Sequence, residues 1–165
     1  KLVEEAAKHY GNVYIRTTRK DTPILYDENE KFPIGDFKIL RKSDQDIVTV
    51  IGAGVTLHEA LAAHDELAKE NIHIRVIDLY SIKPIDIEKL SQAIQGTKAI
   101  ITVEDHFIAG GLGEAVKSAL AEGKSQTPIH SLAFKKMPHS GKPDELLEYE
   151  EISKSAIITK VKNIL

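Results

Sequence analysis

The side chains able to do chemistry gather in a few short stretches. Glu104-Asp105-His106 sets two carboxylates beside an imidazole, a combination that can exchange protons with a substrate. It falls where a strand should end, the edge at which open α/β sheets take their ligands. Adjacent residues on an extended chain point in opposite directions, so convergence is not required. An interface or turn-fixing role is favoured over catalysis. Gly110-Gly111-Leu112-Gly113-Glu114 opens a helix, and a glycine-rich helix start can hold an anion on its free N–H groups. The competing expectation is that the glycines let Leu112 and Ala115 pack under the sheet while Glu114 satisfies the helix end internally. No lysine followed by serine or threonine completes a P-loop there, which speaks against ATP.

Ile51-Gly52-Ala53-Gly54-Val55-Thr56-Leu57 lies between a strand and a helix, the setting of a dinucleotide fingerprint. Gly52 and Gly54 fit its first two places, but Leu57 stands where a third small residue belongs. Asp78, at the end of the following strand, can imitate the ribose-binding acid. The alternative is a tight structural turn. Arg16 and Arg19 follow an early extended segment, and a guanidinium can grip a phosphate or carboxylate in bidentate fashion; spacing alone favours solvated charges. His9, His58, His64, His73, His106, His130 and His139 show no ligand spacing; His58 and His64 cannot comfortably share a metal from one helix. No metal site is expected. In His139-Ser140-Gly141-Lys142-Pro143-Asp144-Glu145-Leu146-Leu147, Pro143 and the acids suit the first turn of a helix.

The pattern around these stretches predicts their scaffold. Leu2, Val3, Ala6, Ala7 and Tyr10 recur at helical spacing up to Gly11, and Val13–Thr17 reads as a short strand. One helix and one strand cannot bury their apolar faces alone, so residues 1–20 are expected to be the remnant of an upstream domain. Residues 21–45 read as a linker, with a short extended piece at Phe37–Arg41 leading inward. From there to residue 165 strands and helices alternate: strands at Ile47–Ala53, Ile72–Asp78, Lys98–Glu104 and Pro128–Ala133, with helices at Val55–Lys69, Ile85–Ile94, Leu112–Ala121, Asp144–Tyr149 and Ser153–Ile164. Such alternation implies an α/β fold, a three-layer αβα domain over 46–165 with a mainly parallel, doubly wound sheet of about five strands.

Composition narrows the field. With 165 residues, 42% hydrophobic and 28% charged, the chain has enough material for one buried core. It contains no cysteine, which excludes disulfides, thiolate metal sites and a cysteine nucleophile. The net charge is −3 with scattered basic residues, so no nucleic-acid partner is expected. No apolar run is long enough to span a bilayer as a helix. Because the chain opens on Lys1 with no signal-peptide pattern, further sequence is expected upstream of it.

Taken in order, four stretches resemble the C-terminal domain of transketolases, particularly the shorter type of animals and some microbes. They are Thr49–Leu61, Ile74–Pro84, Thr102–His106 with Gly110–Val116, and Ser140–Pro143 with Glu145–Leu147. Ile15-Arg16-Thr17-Thr18-Arg19 resembles the end of that family's pyrimidine-binding domain, so the likeness runs along essentially the whole chain. The resemblance implies a parent enzyme of the pentose phosphate pathway, cytoplasmic and homodimeric. With thiamine diphosphate and Mg or Ca, it moves a two-carbon ketol unit from a ketose phosphate to an aldose phosphate. Cofactor, ion and catalytic glutamate then belong to upstream domains, and this chain supplies no catalytic, cofactor-binding or metal residue. Of the family's functional positions, the substrate-contacting arginine falls on Arg19. Lys20-Asp21-Thr22-Pro23, just after it, is only loosely similar.

Two other readings compete. The same sheet and glycine turn occur in the matching domain of 2-oxo-acid dehydrogenase β subunits and of deoxyxylulose-phosphate synthase, although Ser140-Gly141-Lys142-Pro143 favours transketolase. A stand-alone nucleotide-binding regulatory module is the alternative of another class.

Overall fold

The computed structural model describes residues 1–19 and 21–165; Lys20, which the sequence reading placed at the boundary between remnant and linker, lies outside the described residues. The middle of the chain forms a sheet because its strands are apolar on both sides. Strand β2 (Val48–Gly52) and strand β3 (Ile74–Asp78) are buried at every position. Their β-branched residues divide between the faces with period two. Val48, Val50, Ile74 and Val76 join one core; Ile51 and Ile77 join the other. Strand β4 (Ala99–Phe107) splits likewise, with Ile101 and Val103 on the first face and Ile100 on the second.

Helix α2 (Val55–Lys69) turns Leu57, Ala60, Leu61 and Leu67 toward the first core. Helices α5 (Pro143–Tyr149) and α6 (Lys154–Lys162) close the same face through Leu147, Ile157 and Val161. Helix α3 (Ile87–Ala93) and helix α4 (Leu112–Glu122) cover the second face through Leu90, Leu112, Val116 and Leu120. The result is the expected three-layer αβα arrangement.

With β1 (Lys38–Arg41) and β5 (Ile129–Phe134), the strand order is β1-β3-β2-β4-β5, and every pairing except β1 with β3 is parallel. The connection β2–α2–β3 runs toward one edge and β4–α4–β5 toward the other. The order therefore reverses between the C-terminal ends of β2 and β4, where doubly wound sheets take ligands.

Several expectations change in detail. The piece expected to lead inward from a linker is β1, an edge strand of the sheet, paired Lys38 to Asp78 and Ile39 to Ile77. The strand expected at Val13–Thr17 is not formed. Its N–H and C=O groups meet no neighbouring strand here, and a strand exists only through such a ladder. Helix α1 (Leu2–Lys8) ends before Tyr10, and none of its residues is buried. The helix expected from Ile85 begins at Ile87 instead, with Asp86 as its N-cap accepting from the Lys89 amide at 2.9 Å.

A charged pair ties helix to sheet beneath this core. Arg75, inside β3, is buried and donates through Nη1 to the carbonyls of Ala93 and, at 3.0 Å, Gln95 at the end of α3. Its Nε faces the buried Asp46 carboxylate at 3.4 Å. The Ala93 carbonyl is among those a helix leaves unpaired at its C-terminus, and Gln95 follows the C-cap, which gives a buried cation work that a hydrophobic residue could not do.

Candidate functional site

The C-terminal ends of the parallel strands bring together most of the residues with chemical potential. At the reversal point lie the turn after β2, the end of β4 and the start of α4. Glu104 continues β4 past Val103 and is only 4% exposed. Its Oε2 accepts from the Leu112 amide at 2.6 Å and its Oε1 from the Gly113 amide at 2.9 Å. These are free N–H groups of the first turn of α4, the groups that would otherwise receive a ligand anion. Burial raises the Glu104 carboxyl above its ordinary value, opposed by the two amides and the nearby His106 and Lys117.

The glycines of this stretch make room for that carboxylate. A Cβ on Gly111 would stand 1.8 Å from Glu104 Oε2, and one on Gly113 would stand 2.9 Å from Oε1. The helix start therefore fits an anion, and the chain's own glutamate is that anion. The expected internal partner was Glu114. Its Oε2 instead accepts from the Gly110 amide at 2.7 Å, further out. Sequence reasoning missed Glu104 in this role. The available signal was an acid that is next to a β-branched run and six residues before a glycine cluster.

Residues 104–106 do not converge on one point. The ideal Cβ of Gly111 approaches both Glu104 and, at 2.9 Å, His106 Nδ1, so residues 104 and 106 share a side as strand alternation requires. His106 Nδ1 donates to the Phe107 carbonyl at 2.7 Å. Asp105 points elsewhere and accepts from Arg16 Nη2 at 3.3 Å. This contact ties the N-terminal segment to the end of β4.

The turn after β2 is closed in the same way. Thr56 is buried, and its hydroxyl donates to the Val103 carbonyl at 2.8 Å, 3.0 Å from that of Ala53. A Cβ on Gly52 would meet the Leu57 nitrogen at 3.2 Å, so Gly52 lets the helix start lie against the strand. Gly54 takes φ 60° at the N-cap of α2, the left-handed region that favours glycine. Leu57 belongs to the core.

Asp78, the imagined ribose acid, is 6% exposed and accepts from the Tyr26 hydroxyl at 2.5 Å. Burial pushes its carboxyl up to about 6, against the lowering pull of that hydroxyl. Tyr26 meets Phe32 edge-on at 4.9 Å, and Phe32 meets Tyr80 at 5.0 Å. The dinucleotide arrangement is thus spent on packing a turn and anchoring residues 26–37.

Arg19 lies on the exposed N-terminal segment, in a stretch where residues 1–19 include no buried position. At the other end of the chain, Lys142 is the N-cap of α5, and Glu145 reaches back to its amide at 3.4 Å. Among the described residues, no three His, Asp or Glu side chains gather to hold a metal ion. Among the described residues, no helix is long and apolar enough to cross a membrane either.

With this geometry in view, the likenesses to known proteins are specific. The family described as Transketolase, C-terminal domain, matches residues 35–157. Transketolase of Mus musculus is 48% identical over 166 aligned positions, covering 100% of this chain and 26% of that protein. Transketolase of Homo sapiens gives the same 48% identity and the same coverage. A solved structure described as a split gene transketolase, inactive beta4 tetramer, superposes with a TM-score of 0.91 at 32% identity, over 99% of this chain and 53% of that one. The chain spans about a quarter of the length of the curated relatives it matches.

Proposed function

The chain belongs to the transketolase C-terminal domain family, and from that premise we propose that it serves a longer enzyme as its bracing domain. That enzyme transfers a two-carbon ketol unit between sugar phosphates with thiamine diphosphate, in a cytoplasmic homodimer of the pentose phosphate pathway. Residues 1–20 then belong to the upstream pyrimidine-binding domain, the residues after them connect, and the C-terminal domain starts ahead of β1, a reading supported by the pairing of β1 with β3 and by the family match over residues 35–157.

The observation that carries the bracing role is Glu104 on the helix start. The described residues do not fit a diphosphate, because the amides of Leu112 and Gly113 are already committed to an internal carboxylate. The cofactor and its ion therefore rest on the upstream domains. The solved relative's description as inactive supports the same division. The related 2-oxo-acid dehydrogenase and deoxyxylulose-phosphate synthase readings are not favoured, given 48% identity to transketolase along the full chain. The nucleotide-module reading loses its two supports, since Asp78 is taken by Tyr26 and Gly52 is pressed on α2.

What this chain offers the reaction is a charge for substrate. Arg19 supplies a permanent guanidinium suited to a sugar phosphate, on an exposed segment free to face another domain. In the parent enzyme, Arg19→Ala should raise KM for xylulose 5-phosphate about tenfold while leaving hydroxypyruvate within about twofold. Equal losses on both donors would refute the phosphate contact.

The division of labour has its own test. The isolated chain is expected to show no saturable heat with thiamine diphosphate by titration calorimetry. It should also give no ketol transfer from xylulose 5-phosphate to ribose 5-phosphate. Turnover by the pure chain would end the proposal.

A further inference from the structure

The segment that carries Arg19 is fastened to the domain on both sides, at the ends of two different strands. Three residues before it, Arg16 donates to Asp105 just beyond Glu104 in β4. Seven residues after it, the Tyr26 hydroxyl donates to Asp78 at the end of β3. The first contact is exposed, with Arg16 55% and Asp105 31% accessible, and such pairs contribute little on their own. The second is different in kind. Asp78 is buried, the bond is 2.5 Å long, and Tyr26 is packed against Phe32, which is itself buried.

We infer that Asp78, acting through Tyr26, is a positioning residue for Arg19: it fixes the outgoing end of the segment that presents the phosphate-binding guanidinium. This rests on the reading of Arg19 as the phosphate contact.

Chain geometry shows why this pin matters. An extended chain covers at most about 3.6 Å per residue, so anchoring at Tyr26 keeps Arg19 within about 25 Å of that point. If Tyr26 is released, the next buried anchor is Phe32. The tether then grows to thirteen residues, with a reach of about 47 Å. The incoming side of the segment stays with the upstream domain, so what is lost is the restraint on its outgoing side, and the fraction of molecules holding the guanidinium in the productive place falls. Apparent affinity falls with that fraction.

From Phe32 onward the chain is secured by separate contacts. The Gly35 amide donates to Ser81 Oγ at 2.9 Å, the Tyr80 hydroxyl to the Pro33 carbonyl at 3.1 Å, and the Asp86 amide to the Gly35 carbonyl at 2.9 Å. Losing the Tyr26 hydroxyl therefore loosens the segment, leaving only the ring contact with Phe32, without detaching the sheet.

The test uses the intact parent enzyme with Tyr26→Phe and Asp78→Asn. Tyr26→Phe keeps the ring on Phe32 and removes only the hydroxyl, so it stays informative if Asp78→Asn fails to fold. The expected result is a rise of about fivefold in KM for xylulose 5-phosphate, with kcat and hydroxypyruvate kinetics within about twofold of the starting enzyme. In an Arg19→Ala background, Tyr26→Phe should add nothing further, because there is no guanidinium left to place. If Arg19→Ala is selective for the phosphorylated donor and Tyr26→Phe is silent, the positioning role is overturned and the phosphate contact stands. If Arg19→Ala is itself unselective, the phosphate contact fails first. Equal loss on both donors in Tyr26→Phe, or full additivity with Arg19→Ala, also overturns the inference.

Discussion

Gly111→Ala should lower the stability of the fold by about 2–4 kcal/mol, although it adds one methyl group to a residue with an ordinary backbone conformation. Gly111 has φ −97°, so the cost does not arise from backbone strain. It arises from the carboxylate beside it. The new Cβ would stand 1.8 Å from Glu104 Oε2 and 2.7 Å from its Cδ, distances at which something must move. A glutamate tip on the surface would swing away at little cost. Here it is buried and holds the amides of Leu112 and Gly113. Moving it strands two buried N–H groups and sends a charge into apolar surroundings, and each loss is expensive.

The argument makes a second, sharper demand. Glu104→Ala alone should cost about 2–3 kcal/mol, since the same amides lose their acceptor. Once that carboxylate is gone, Gly111→Ala should add little, leaving a coupling of about 2 kcal/mol in the double-mutant cycle. Denaturant unfolding of the four proteins measures it. Simple additivity would show that the glycine serves something other than the glutamate.

Glu150→Leu is expected to act in the opposite direction, stabilising the chain by about 1–3 kcal/mol. Glu150 follows α5 as its C-cap and is 5% exposed. Neither of its carboxylate oxygens has a hydrogen-bond partner among the described residues. It borders a cavity of about 30 Å³ together with Leu132, Ala133, Lys135, Lys136 and Glu151. The neighbouring Lys136 is directed elsewhere, donating to the Tyr149 carbonyl at 2.7 Å. The C-terminal end of a helix also carries the negative end of its dipole, which disfavours an anion. A leucine of similar length removes the desolvated charge and fills apolar space beside Leu132. Glu150→Gln, which loses the charge but keeps a polar tip, should fall between the two. A denaturant midpoint that fails to rise in either variant would mean that the carboxylate is satisfied in solution.

Much of the scaffold was readable from residue order because its elements are set by local periodicity. Helix α2 has the bounds predicted from its apolar stripe, Val55–Lys69. Strand β2 lies within the apolar run at Ile47–Ala53. Pro143 opens α5, as its fixed φ and missing N–H allow. The site was less legible. Glu104 was visible as a candidate, but its destination depended on where α4 begins in space relative to β4. The residues 37–41 were seen as extended. Whether they crossed a surface or joined an edge was decided by the open flank of β3. Val13–Thr17 shows the converse, a good strand sequence that meets no ladder.

The sequence by itself determined the alternation of strand and helix, the double-sided burial of the central strands and the turns that need glycine. Each of these follows from side-chain size, period and backbone freedom within a few residues. Tertiary structure alone decided that Glu104 would fill its own helix start and that Tyr26 would reach Asp78, 52 residues away. Contacts of that kind depend on which strand ends become neighbours, and sheet order is fixed by the packing of the whole core rather than by any local stretch.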